Sequence, residues 1–240
     1  MYHGIYKFAD VAVSISFHYK ENAVRFESYK VTEKPIYEIS LTNNRIKEEL
    51  ILLQSACPNL TFGEKEAEFN ALYRDIPTLL WKERILLVHG VLIEKDGVGF
   101  LFSAPSGTGK SFHSKMWNEV FPSQVTIING DKPLLRYTDN GVYGYGSPWM
   151  GKEGIGINRM VKLKAICRLS RGEKNVIHKI ENDGQVISWL LEETMLKDRT
   201  TNIMELVRWY NQVIQHVSLY ELKCNMDQDS VLVSYYGMCQ

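Results

Sequence analysis

The stretch Ser103-Ala104-Pro105-Ser106-Gly107-Thr108-Gly109-Lys110-Ser111 constrains this chain more than any other. Two glycines, a lysine and a hydroxyl follow an apolar run, VGFLFSA, and precede SFHSKMWNEV, in which Phe112, Met116 and Val120 recur every fourth residue. The run reads as a strand, and the segment after the glycines as a short helix closed by Pro122. A strand, a glycine-rich loop and a helix in that order turn backbone N–H groups inward around phosphate, and the helix N-terminus adds partial positive charge. The spacing is that of G-x-x-x-x-G-K-[ST] with Ala104 at the first glycine position. Ser106, Gly107, Thr108, Gly109, Lys110, Ser111 and Phe112 are therefore the expected nucleotide-binding residues. Lys110 is expected to reach the β- and γ-phosphates, and the Ser111 hydroxyl to ligate Mg²⁺. The plainer alternative, a loop that only turns the chain, does not explain why the flanking strand and helix are both present.

A magnesium-bound triphosphate also calls for a carboxylate at the end of a neighbouring strand. VTIINGD supplies Asp131, one short helix downstream of Lys110, as the second expected metal ligand. Lys152, in Trp149-Met150-Gly151-Lys152-Glu153-Gly154, sits in a glycine-flanked loop. A cation there suits the charge that builds on γ-oxygens as a phosphoryl group leaves; the alternative is a solvated surface lysine. His89 lies inside the apolar LLVHGVLI and by itself reads as a buried strand histidine. Lys132 and Arg136 read first as solvated charges, with Asn158 and Arg159 ranked behind them. Ser147, Pro148 and Trp149 either shape an acceptor groove or pack.

The rest of the 240 residues reads as a chain that folds around ordinary cores: 45% hydrophobic, 23% charged and formally neutral. That balance argues against disorder and against a broad nucleic-acid surface. No apolar stretch suits a bilayer, no signal peptide is legible, and four scattered cysteines without CxxC spacing suit a reducing cytoplasm better than zinc. Strands are expected at Val11 to Ser16, around Val24 and Phe26, and at Ile36 to Leu41. Helices are expected after a Thr42-Asn43-Asn44 cap and over EKEAEFNALYRDI, the latter interrupted or ended by Pro77. ILLVHGVLIEKDGVGFLFSA reads as two strands turning at Lys95-Asp96-Gly97. LLRYTDNGVYGYG and LKAICRLSRGEKNVIHKI read as further hairpins. QVISWLLEETML and NIMELVRWYNQVIQHV read as helices, LYELKC as a late strand, and Asp227 or Asp229 as the cap of a closing helix.

Three stretches carry a family resemblance. VHGVLIEKDGVGFLFSAPSGTGKS resembles the bacterial HPr kinase/phosphorylase segment that runs from a His-Gly strand through a hairpin into the phosphate loop. INGDKPLL resembles the Asp-bearing strand end shared by that family and the phosphoenolpyruvate carboxykinases. GSPWMGKEGIGIN resembles a segment of the broader HPr-kinase-like set, some members of which belong to modified-peptide pathways such as those of lasso peptides. The resemblance implies an α/β fold with an α+β tendency: a phosphoenolpyruvate-carboxykinase-like P-loop core with a curved mixed sheet and flanking helices over residues 81–240. An N-terminal α+β segment, residues 1–80, is expected to pack on it. The resemblance further implies ATP and Mg²⁺ as cofactors and transfer of phosphate to a serine or threonine hydroxyl of a peptide or small protein, including a modified-peptide precursor. Asp131 would be the catalytic base, with His89 beside it and Lys110 and Lys152 completing the catalytic set. Relatives of this type form homo-oligomers; neither nucleic acid nor membrane is an expected partner.

The departures narrow the expectation. HPr-type enzymes carry two adjacent acids where this chain has Gly130-Asp131 followed by Lys132, and usually Glu where it has Phe112. Their phosphorolysis segment and the carboxykinases' oxaloacetate constellation have no counterpart here, so a kinase-only enzyme is expected. Two rivals stay open: a nucleotide-binding regulatory or assembly module without transfer, and a kinase for a free amino acid.

Overall fold

Alternation of apolar residues from Val11 to Ile15 does produce a strand, and its partner precedes it. In the computed structural model, which describes residues 1–181, 184–196, 203–225 and 227–240, β1 (Tyr2–Phe8) and β2 (Val11–Phe17) form an antiparallel hairpin. The chain divides into two units, Met1–Glu83 and Arg84–Gln240.

In the first unit, β3 (Lys30–Val31) and β4 (Tyr37–Ser40) complete a sheet of order β3-β1-β2-β4. The strand expected around Val24 and Phe26 is instead a short helix, α1 (Lys20–Arg25), followed by a fully buried Phe26. Phe26 is drawn inward by aromatic packing: its ring lies 5.2–6.0 Å from those of Phe17, Tyr6 and Phe8. Helix α2 (Asn43–Ala56) starts where its cap predicts, with the Thr42 hydroxyl accepting the Arg45 N–H at 3.2 Å. Helix α3 (Glu64–Leu80) runs through Pro77 rather than ending there. Ile76, Pro77 and Leu80 are all buried, and that apolar burial offsets the one lost backbone hydrogen bond.

The second unit places the site. Its strands are β5 (Ile85–Leu87), β6 (Val91–Lys95), β7 (Val98–Ser103), β8 (Val125–Asn129), β9 (Leu134–Thr138), β10 (Gly141–Tyr145), β11 (Met160–Arg171), β12 (Val176–Lys179) and β13 (Ser218–Cys224). They join in the order β5-β9-β10-β11-β7-β6-β8, with β13 added to β11 and β12 to β13. Among the described residues of this unit only β7–β11 and β11–β13 pair in parallel, so the sheet is mixed. Two readings need correction here. The apolar run at Ile85 to Ile93 is two strands, β5 and β6, broken at His89-Gly90, because β5 pairs with β9 whereas β6 pairs with β7 and β8. The expected hairpin after Arg171-Gly172 does not form, because β13 enters between β11 and β12 and pairs with both.

Helices α4 (Lys110–Val120) and α7 (Asp229–Cys239) cover one face of the sheet. Trp117, Phe100, Phe102 and Met116 are buried in the core there, with Val231 and Met238 from α7. The buried face of α4 is His113, Met116 and Trp117; Phe112 is 42% exposed, because the helix is rotated to seat the larger Trp117. Helices α5 (Gly184–Glu192) and α6 (Ile203–Val213) complete the unit. Neither Asp227 nor Asp229 caps α7 through its side chain: the N-cap is Gln228, and the Asp227 carboxylate accepts from Asn225. Among the described residues no helix is long and apolar enough to cross a membrane.

Candidate active site

The sheet order explains why three distant residues meet. Strand β6 lies between β7 and β8 and runs antiparallel to both, so its beginning stands beside their ends (Val91 opposite Phe102, Leu92 opposite Asn129). His89, just before β6, therefore falls between the loop that follows β7 and Asp131, which follows β8. Main-chain bonds fix the approach: Gly90 N–H donates to Asp131 O at 2.9 Å, and His89 N–H to Glu193 O at 2.8 Å.

The loop itself turns through Gly107 and Gly109, with φ of +80° and +122°, conformations that favour glycine. Gly109 is the N-cap of α4, so Lys110 opens the helix directly. The Lys110 ammonium is buried, donating to Ala104 O at 2.5 Å and Pro105 O at 3.4 Å. Burial holds its pKa below the usual lysine range, with Glu193 and Asp131 opposing that shift and Lys132 adding to it.

One cleft of about 560 Å³ gathers His89, Asp131, Lys132, Lys152 and the loop from Ser106 to Phe112 except Thr108. The Thr108 hydroxyl instead donates to Pro105 O, and the residue faces a separate crevice. His89 stands between two carboxylates: Nδ1 is 2.9 Å from Glu193 Oε2, and Nε2 is 3.5 Å from Asp131 Oδ1. Lys132 Nζ donates to the same Asp131 Oδ1 at 2.8 Å, so Lys132 belongs to the cleft and is not simply a solvated charge. Lys152 is exposed and, among the described residues, makes no ion pair or hydrogen bond.

The turn carrying Asp131 is braced from below. Asn129 Oδ1 accepts the N–H groups of Asp131 (2.9 Å) and Lys132 (2.6 Å), while its Nδ2 donates to Ser147 O and Oγ at 3.1 Å. Ser147 Oγ in turn donates to Lys132 O at 2.5 Å. Ser147, Pro148 and Trp149 are buried, so they support the turn instead of forming an open groove. Gly151, at φ +70°, presses on Asp131 from the other side: a Cβ added there would lie 2.8 Å from Asp131 Cβ.

Sequence reasoning missed Glu193, Asn129 and Arg171. Glu193 follows an apolar helix as one of two consecutive acids, and only the pairing of Val88 with Thr194 brings it to His89. Its near-complete burial is the property that marks it, and burial is set by tertiary structure.

Among the described residues no group of three or more His, Cys, Asp or Glu could hold a metal. Magnesium in nucleotide sites needs less, typically one or two protein oxygens alongside phosphate and water. Ser111 and Asp131, which line the same cleft, form a hard-oxygen set of that kind. Among the described residues Asp131 Oδ2 has no hydrogen-bond partner and is available as a donor to a cation.

No protein-family model matches the chain, and no curated protein matches its sequence. Among solved structures, the HPr(Ser) kinase/phosphatase from Coxiella burnetii aligns distantly, with a TM-score of 0.37 at 10% identity, over 64% of this chain and 96% of that one.

Proposed function

We propose that this chain is a phosphotransferase with a phosphoenolpyruvate-carboxykinase-like P-loop core. It transfers the γ-phosphate of ATP to a serine or threonine hydroxyl of a peptide or small protein, in the cytoplasm. The observation that carries this reading is the single cleft in which a phosphate loop with its buried Lys110 faces the Glu193–His89–Asp131 array. A binding loop alone would need no such array.

In this reading the loop amides and Lys110 hold the β- and γ-phosphates. Mg²⁺, held by Ser111 and Asp131, would supply charge neutralisation at the phosphate oxygens. Asp131 takes the proton from the acceptor hydroxyl as its oxygen bonds to phosphorus and the bond to ADP breaks. His89 Nε2 lies 3.5 Å from Asp131 Oδ1, so the proton has a second resting place, and the Glu193 carboxylate at Nδ1 compensates the resulting imidazolium. Lys152, uncommitted in the free protein, closes on the migrating phosphoryl group.

One observation favours a rival, a nucleotide-binding module without transfer: Asp131, preceded by Gly130 and not by a second acid, already has its Oδ1 bound by the Lys132 ammonium. Labelled ATP with cell extract separates the two. Transfer of label to a peptide or protein is expected, with Lys110→Ala abolishing nucleotide binding and Asp131→Asn lowering transfer by about 10³-fold while binding persists. MgATP binding without transfer to any acceptor would support the module, and label on a free amino acid would redirect the acceptor assignment.

A further inference from the structure

We infer that the nucleoside end of the bound nucleotide, its ribose and base, lies in a second crevice on the far side of the phosphate loop, built from the ends of β11 and β13. The inference rests on the nucleotide-binding reading above and specifies where the part that is not phosphate goes.

The loop is a saddle between two cavities. Ser106 and Gly107 line both the Asp131 cleft and this crevice of about 450 Å³. Strand β7 has β6 and β8 on one side, which carry the cleft, and β11 and β13 on the other, which carry the crevice. A linear polyphosphate held at its middle must leave the loop in both directions. One end goes to Asp131 and Lys152; the other, bearing the nucleoside, goes toward β11 and β13.

The strand directions agree. β7, β11 and β13 pair in parallel; β11 and β13 finish together, Arg171 beside Cys224, and extend past the end of β7, where Ser103 pairs with Arg168. Ligands of α/β sheets bind in the crevice outside the carboxyl ends of such strands. The volume lies within the range of about 300–1,000 Å³ usual for small-molecule sites.

The lining chemistry fits a nucleoside. Glu221 is half-buried and its carboxylate can only accept, which suits the two hydroxyl donors of a ribose. Ser170 Oγ leans toward it at 3.5 Å. Arg171 reaches across to the loop, with Nη2 donating to Gly107 O at 2.6 Å and Nε to Thr108 O at 3.5 Å. That clamp engages the outward carbonyls, leaving the amides of the loop to face phosphate, and it presents a planar guanidinium at the rim on which a base can stack.

Titration calorimetry of the full chain with MgATP, magnesium 2′-deoxy-ATP and magnesium tripolyphosphate tests the inference. The wild-type protein is expected to bind MgATP at least 10-fold tighter than tripolyphosphate, with 2′-deoxy-ATP between them. Glu221→Ala is expected to weaken MgATP about 10-fold, to erase the preference over 2′-deoxy-ATP, and to leave tripolyphosphate within twofold. Equal binding of MgATP and tripolyphosphate by the wild-type chain would overturn the inference without any variant. So would a Glu221→Ala protein that retains the full preference for the ribose hydroxyl. Failure of all three ligands to bind the wild-type chain would instead overturn the nucleotide reading, and this inference with it.

Discussion

At the scale of single residues, the chemistry depends on which groups are held between charges. His89 touches a carboxylate through each ring nitrogen, and in the proposed reaction Glu193 acts through that ring, beside its charge interaction with Lys110. Glu193→Gln keeps a hydrogen-bonding partner at Nδ1 but removes the charge. Transfer should slow by about 10- to 100-fold, with KM for MgATP within twofold and the pH profile displaced; a purely structural Glu193 would leave the profile in place. His113 makes a different prediction. Trp117 Nε1–H donates to its Nε2 at 3.1 Å, so the neutral ring carries its proton on Nδ1, facing Ser230. Burial pushes its pKa from an ordinary 6.5 down to about 4. Between those values the unfolded chain binds a proton that the folded chain refuses, so this contribution is complete above pH 6.5 and is lost as the pH falls toward 4. Urea denaturation should show wild-type stability falling by roughly 2–3 kcal/mol more between pH 7 and 4.5 than that of His113→Phe. Lys110, Ser111, Asp131 and Lys152 are legible in the sequence, because each stands in a spaced motif, at a strand end or in a glycine-flanked loop; His89 is legible only through the family resemblance. The sequence could not name Glu193 or Asn129, whose roles come from burial and from contacts made across the sheet.

At the scale of elements, local pattern and tertiary competition diverge. The turn at Lys95-Asp96-Gly97 and the cap at Thr42 were legible because the residues that make them are adjacent in the chain. Strand partners were not legible: β12 follows β11 closely yet pairs with β13, which arrives some forty residues later. Phe26 likewise has strand character by composition, but three aromatic rings draw it into a core. The loop after β10 yields the prediction that belongs at this scale. Gly151 combines a left-handed conformation with contact on Asp131. Gly151→Ala should cost about 1–2 kcal/mol of stability through backbone strain. It should also lower transfer by more than 10-fold through displacement of the carboxylate, since a misplacement of about 1 Å can cost 10²-fold. Nucleotide affinity should change little. Thermal melting, calorimetry and the labelled-ATP assay together check all three outcomes.

At the scale of the whole molecule, every residue assigned here to phosphate, proton or nucleoside belongs to the unit from Arg84 to Gln240. That unit has its own core around Trp117 and Phe100. The first unit carries a separate aromatic core and two buried glutamates satisfied within it, Glu68 by His18 and Asn22, and Glu49 by Arg45, Arg74 and Asn70. The segment 84–240 alone should therefore bind MgATP within about threefold of the full chain by calorimetry, since a unit with its own core can in principle fold alone. An affinity loss of 10-fold or more in a folded fragment would show that residues before Arg84 contribute to binding. The mixed α/β character of the chain was legible from strand and helix periodicities. The position of β7, with a parallel neighbour, β11, on one side and an antiparallel neighbour, β6, on the other, was not, because periodicity carries no information about strand direction.

Gly90 must stay glycine, because a Cβ there would lie 2.8 Å from Phe102 O, but the amides and carbonyls that join it to Asp131, and His89 to Glu193, belong to the main chain and do not depend on the side chains carried at 89, 131 and 193. The scaffold thus works as a set of sockets, and an exchanged group at any one of them leaves its neighbours in register. Such a frame lets new chemistries be tried by substitution alone, with the architecture inherited intact.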